Sequence, residues 1–133
     1  MKSLLYIIFI SLVWIHTVEA QHNDNNKIYR ESEATPENLV KPTFVYRNET
    51  FQQYVQKRVG NVRPTITQKI FIEFIVEKDG SLSNITFSEA TEERTKKKFL
   101  KVFKKCPKWQ PGLLNGKPVR VRYMMPIMIT VSN

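Results

Sequence analysis

The sequence predicts a small α+β domain: a three-stranded antiparallel sheet packed with two helices, preceded by an N-terminal signal peptide. Three observations carry that reading. The stretch "KIFIEFIVEKDGSLSNITFSE", beginning at Lys69, alternates in side-chain character on either side of a turn. Two stretches, beginning at Asn48 and Thr91, place apolar residues at helical spacing. A last stretch, "PVRVRYMMPIMITV" from Pro118, alternates again for a dozen residues.

The elements follow in chain order. Residues 1–20, "MKSLLYIIFISLVWIHTVEA", have a positive start at Lys2, an apolar core from Leu4 to Ile15 and the small residues Val18 and Ala20 at the expected cleavage positions. A membrane span needs about 20 apolar residues, and this core is shorter. The expectation is a signal peptide cleaved after Ala20 and a product outside the cytoplasm, with a short retained membrane anchor as the alternative. Residues 21–42 are polar and read as a poorly ordered lead-in. The domain proper is placed at 43–133.

In "NETFQQYVQKRV", Asn48 is the expected cap, Phe51, Tyr54, Val55 and Val59 form one face, and Gly60 stops the helix. In the first strand of the hairpin, Ile70, Ile72, Phe74 and Val76 share one face. Lys78-Asp79-Gly80-Ser81 supplies the turn, and the returning strand sets Leu82, Asn84, Thr86 and Ser88 opposite Ser83, Ile85 and Phe87. In "TEERTKKKFLKVFKKCP", Thr91 is the expected cap and Pro107 the stop. Phe99, Leu100, Phe103 and Cys106 form its expected buried stripe, with lysines over the remaining surface. In the last strand Val119, Val121, Tyr123, Met125 and Ile127 lie on one side, and Arg120, Arg122, Met124 and Pro126 on the other. Pro126 cannot donate to a ladder, so the strand must be unpaired on one side at that point, at an edge or a bulge. A long apolar edge invites aggregation unless it is used, and the use it suits is addition of a partner strand.

The net charge is +9, unchanged by removal of residues 1–20 because Lys2 and Glu19 cancel. Such a charge favours acidic neighbours, although the export signal argues against nucleic acid. Only one cysteine is present, which excludes an intramolecular disulfide. Both histidines, His16 and His22, precede the folded domain, so the domain offers no imidazole as base or metal ligand. Cys106 sits at a helix C-terminus, where the dipole disfavours a thiolate. Nothing resembles a phosphate loop. The chain reads as a non-enzyme with no cofactor and no metal site.

Phe74-Ile75-Val76-Glu77-Lys78-Asp79-Gly80-Ser81 and the closing blocks Pro107-Lys108-Trp109-Gln110-Pro111-Gly112 and Asn115-Gly116-Lys117-Pro118-Val119-Arg120-Val121 carry a resemblance. Together with Pro126-Ile127 they resemble the TonB C-terminal domain family, in the form common in Bacteroidetes-type bacteria, over roughly Thr43 to Val131. The family-motif positions are Asp79, Gly80, Pro107, Trp109, Pro111, Gly112, Gly116 and Pro118. Lys69 replaces a usual glycine, "TKKKF" replaces the usual second-helix pattern, and no proline-rich spacer precedes the domain.

The resemblance implies that the C-terminal strand pairs with a short peptide of an outer-membrane TonB-dependent transporter. The edge so implied is Val119, Arg120, Val121, Arg122, Tyr123, Met124, Met125, Pro126 and Ile127, with Arg120 and Arg122 steering acidic peptide flanks. An inner-membrane motor of the ExbB/ExbD type would be a partner if the N-terminus is retained, and open edges would allow a homodimer. From Ala20 to Thr43 the extended chain reaches at most roughly 80 Å, short for a transducer that crosses the periplasm. The rival expectation is an exported module that binds peptidoglycan or another anionic envelope component through the lysine helix, without energy coupling.

Overall fold

The computed structural model describes residues 26–30, 36–60 and 67–129. The expected signal peptide or anchor lies outside the described residues. Among those described, no helix is long and apolar enough to cross a membrane.

Among the described residues, six strands and two helices follow in the order β1 (Ile28–Arg30), β2 (Leu39–Val40), α1 (Phe51–Val59), β3 (Gln68–Val76), β4 (Leu82–Phe87), α2 (Glu93–Lys104), β5 (Gly112–Leu114) and β6 (Lys117–Ile129). The expected three-stranded sheet is therefore a six-stranded one, ordered β2-β5-β6-β3-β4, with β1 added in parallel on β6. The additional strands have two or three residues each, too few for a period of two to stand out. Two of them, β1 and β2, come from the polar lead-in.

The long antiparallel pair β3–β6 is the spine, in register from Gln68 opposite Ile129 to Val76 opposite Val121. Its inner face carries Ile70, Ile72, Phe74 and Val76 beside Met125 and Ile127, all buried. Phe51, Tyr54 and Val55 of α1 and Phe99, Val102 and Phe103 of α2 close over it. Burying these side chains at roughly 1.5–3 kcal/mol each is the main source of stability. In α2, Val102 rather than Leu100 completes the buried stripe, and Leu100 is half-buried.

Both expected caps are displaced. Asn48 takes a left-handed φ of 58° beside Arg47 at 43°, in a turn closed by Glu49 N–H on Tyr46 O at 2.8 Å. Thr50 caps α1 instead, accepting from Gln53 N while the Gln53 side chain accepts from Thr50 N. Glu92 occupies the N-cap position of α2, and Thr91 is buried with its hydroxyl 3.1 Å from that of Ser88.

The β3–β4 hairpin also departs from strict alternation. Between Glu73–Thr86 and Ile75–Ser83 the pairing gains one residue on β4, where Asn84 adopts a φ of 46°. That bulge turns Leu82, Ile85 and Phe87 all towards the core, whereas unbroken alternation separates Leu82 from the other two.

Candidate functional site

The motif residues lock two loops together. Trp109 N–H donates to Gly80 O at 2.8 Å, and Lys108 Nζ lies 2.9 Å from Asp79 Oδ2. Asp79 Oδ1 also accepts from Ser81 N and Ser81 Oγ, at 3.0 and 2.6 Å. These bonds, Ser81 first and Lys108 after it, hold the Asp79 carboxyl far below the usual carboxylate range. Gly80 adopts a φ of 82° in this turn. Trp109 is 4% exposed, among Phe44, Phe51, Phe74 and Tyr123. It is a core residue and contributes no surface to a ligand.

Beyond Trp109, Gln110 and Thr43 exchange backbone bonds at 2.9 and 3.0 Å, which brings the lead-in beside β5. Asn115 and Gly116, with φ of 50° and 77°, then turn β5 into β6. The elaborate run from Pro107 to Pro118 thus places a hairpin and aims β6 along β3.

Cys106, half-buried just past α2, packs against the core. Burial pushes its thiol up to about 11, against a smaller opposing pull from Trp109. A free thiol titrates near 8.5, so at pH 8 the folded protein should be alkylated by iodoacetamide about two orders of magnitude more slowly than the urea-unfolded chain. Equal rates would show the thiol to be open to solvent.

Whether β6 offers an edge depends on which way its backbone points. Phe71 O accepts from Ser88 N at 2.9 Å, and Phe71 N donates to Ser88 Oγ at 3.3 Å, so both groups turn towards β4. Opposite residues of an antiparallel pair exchange both bonds or neither. Pro126, opposite Phe71, is therefore not bonded to β3, and the backbone groups of Met124, Pro126 and Met128 face outward. The missing N–H of Pro126 interrupts no bond to β3.

The outer side of β6 is only partly open. Lys117–Val119 pairs with β5, and Arg120–Arg122 pairs with β1. From Tyr123 to Ile129 no described strand covers it. This corrects the expectation of an edge over Val119–Ile127: its first four residues are occupied by the chain itself. The signal missed was Ile28-Tyr29-Arg30, too short and too embedded in polar sequence to read as a strand.

Beside the open stretch the outer sheet face is apolar. Phe71, Met124 and Met128 are 41%, 54% and 59% exposed, and Pro126 is exposed between them. Phe71 lies directly across from Pro126. Pairing of Lys69 with Met128 puts a charge at one end of this patch, its ammonium 5.2 Å from the Phe71 ring.

Arg120 and Arg122 are not free to steer a ligand. Arg120 grips Glu77 with two bonds, at 2.7 and 2.9 Å, and Ser83 Oγ also donates to Glu77. Arg122 Nη1 lies 2.9 Å from Glu73 Oε1. The Arg120 bond lowers the Glu77 pKa. That contribution to stability is complete above the unfolded carboxylate value and is lost as pH falls through the lowered one. Further positive charge lies on α2, where Arg94, Lys97, Lys101 and Lys104 are exposed along one side. Among the described residues no three of His, Cys, Asp or Glu gather to hold a metal.

Residues 63–128 match the family model described as Gram-negative bacterial TonB protein C-terminal. No curated protein and no solved structure matches the chain. Domains of this family are non-catalytic and interact with outer-membrane TonB-dependent transporters. The hairpin turn locked to the Trp109 loop, and all but the last residue of the long strand β6, fall within the matched residues, and residues 63–128 form a domain of the TonB C-terminal family.

Proposed function

We propose that this chain binds an extended peptide of an outer-membrane TonB-dependent transporter by adding it as a strand to β6 over Tyr123–Ile129. The observation that carries this reading is the open outer edge of β6 beside exposed Phe71, Met124 and Met128. An added strand satisfies the outward N–H and C=O groups of Met124 and Met128 and the C=O of Pro126. Its alternate side chains lie over the apolar outer face, so the peptide it suits is apolar at alternate positions. Pro126 leaves one position of the new ladder without a donor, which limits affinity at its centre.

Titrating the isotope-labelled protein with transporter plug peptides should shift the amides of Tyr123–Ile129 and Gln68–Ile72. Shifts confined to α2, with binding that falls steeply as salt rises, would overturn this reading. They would favour the second one, an anionic envelope component held by Arg94, Lys97, Lys101 and Lys104.

The same proposal places the protein in the periplasm, cleaved after Ala20 and without energy coupling of its own. Intact mass of protein recovered from its native envelope should correspond to a chain starting at Gln21. An intact Met1 in the inner-membrane fraction would instead make it an anchored transducer, in reach of a proton-driven motor.

A further inference from the structure

We propose that β1 is a built-in competitor for the peptide edge: Ile28–Arg30 holds the Arg120–Arg122 part of β6, which a partner strand longer than the open stretch must take over. This inference rests on the strand-addition reading and specifies how that site is regulated.

Among the described residues, the pairing of β1 with the outer side of β6 ends at Arg122. β1 runs parallel to β6, with Ile28 opposite Arg120, Tyr29 opposite Val121 and Arg30 opposite Arg122. The next residue, Tyr123, begins the stretch with no described strand beside it. A peptide lying along Tyr123–Ile129 and extending towards Arg120 therefore meets Arg30, and two strands cannot share one side of β6.

β1 is short. It has three residues, and parallel pairing is somewhat weaker per residue than antiparallel. Tyr29, 7% exposed, is its only buried side chain; Ile28 is half-buried and Arg30 exposed. Tyr29 lies outside the cluster formed by the sheet's inner face, the helices and Trp109, so its release leaves that core intact. Outside the ladder, Arg120 Nη1 donates to Asn26 O at 3.4 Å, while Arg120 keeps its two stronger bonds to Glu77. The Lys27 ammonium also lies 5.0 Å from the Tyr29 ring, and covalent attachment adds to these contacts, because a tethered segment competes at an effective concentration in the millimolar range.

The consequence is a dependence on peptide length. A short peptide fits the open stretch and leaves β1 in place. A longer one gains contacts only after β1 is expelled, and its apparent Kd is raised by the fraction of time β1 is bound.

The test compares the full chain with a variant carrying Ile28→Pro and Tyr29→Ser, titrated with plug peptides of about five and about ten residues. The five-residue peptide should bind both forms alike. The ten-residue peptide should bind the variant about tenfold more tightly. In the native chain it should also strip hydrogen-exchange protection from the Tyr29 amide. Melting temperatures within a few degrees of each other show that the variant is folded, and a variant that unfolds overturns the claim that β1 is separable from the core. Equal affinities, with Tyr29 still protected in the saturated native complex, overturn the competition while leaving strand addition standing. Failure of both peptides to shift Tyr123–Ile129 in either form overturns the strand-addition reading, and this inference with it.

Discussion

Trp109→Ala should destabilise the fold by about 3–5 kcal/mol, the range for removing a large buried aromatic. Trp109 is 4% exposed, with ring centroids 4.8 Å from Phe51, 5.3 Å from Tyr123, 5.4 Å from Phe44 and 5.7 Å from Phe74. These neighbours come from α1, β6, the segment before α1 and β3, so no single element can move to refill the space. Tilted and edge-on ring pairs of this kind are worth about 0.5–1.5 kcal/mol beyond area burial, which places the loss towards the upper end. A domain of this size has about 5–15 kcal/mol in total, so much of the population should unfold on mild warming. The far-UV thermal transition should fall by at least about 12 °C or lose cooperativity. Phe103→Ala, which removes a ring 5.4 Å from both Phe51 and Phe74, should fall in the same range. An unchanged melting temperature for Trp109→Ala would mean that the side chain is exposed, and would make it a candidate ligand contact.

What could be read from the sequence divides by element length. β3, β6, α1 and α2 each run for nine residues or more, long enough for a period of two or 3.6 to declare itself. Strands β1, β2 and β5 stop at two or three residues and are held by what they pair with. Ile28-Tyr29-Arg30 carries no local sign that Tyr29 is buried. The cap of α1 is legible in the sequence: Thr50 followed at the third residue by Gln53 is a capping-box signature, which Asn48 lacks. For the candidate site, Pro126 marks a position without a donor, because a missing N–H is a property of the residue alone. The occupation of Arg120–Arg122 by β1 and the neutralisation of both arginines by Glu77 and Glu73 depend on register, which alternation by itself leaves open. The exposed patch likewise required knowing that Phe71 sits across from Pro126.

Gly80→Ala should cost about 3 kcal/mol or more, well beyond the same substitution at either other left-handed glycine. Gly60, Gly80 and Gly116 have φ of 66°, 82° and 77°, so a side chain at any of them pays a backbone penalty of about 1–3 kcal/mol. At Gly60 and Gly116 a methyl group would meet nothing within 4 Å. At Gly80 it would lie 2.0 Å from Trp109 O, a contact that real Cβ atoms do not make, and 3.1 Å from Trp109 N. The atoms in the way are backbone and cannot rotate aside. Relief requires the turn to withdraw from the Trp109 loop, and that stretches the Trp109 N–H···O Gly80 bond at 2.8 Å. It also separates Asp79 from Lys108 and draws Trp109 from its ring of aromatics. Overpacking of this kind adds about 1–3 kcal/mol to the backbone penalty. Urea unfolding of the three alanine variants should therefore rank Gly80→Ala far below Gly60→Ala and Gly116→Ala, which differ little from one another. Equal midpoints would mean that the close approach of the two loops is not a constraint on the fold. The larger loss at Gly80 would show that the Asp79-Gly80 turn and the Pro107–Gly112 loop are one structural unit, on which the placement of β6 and its open edge depends.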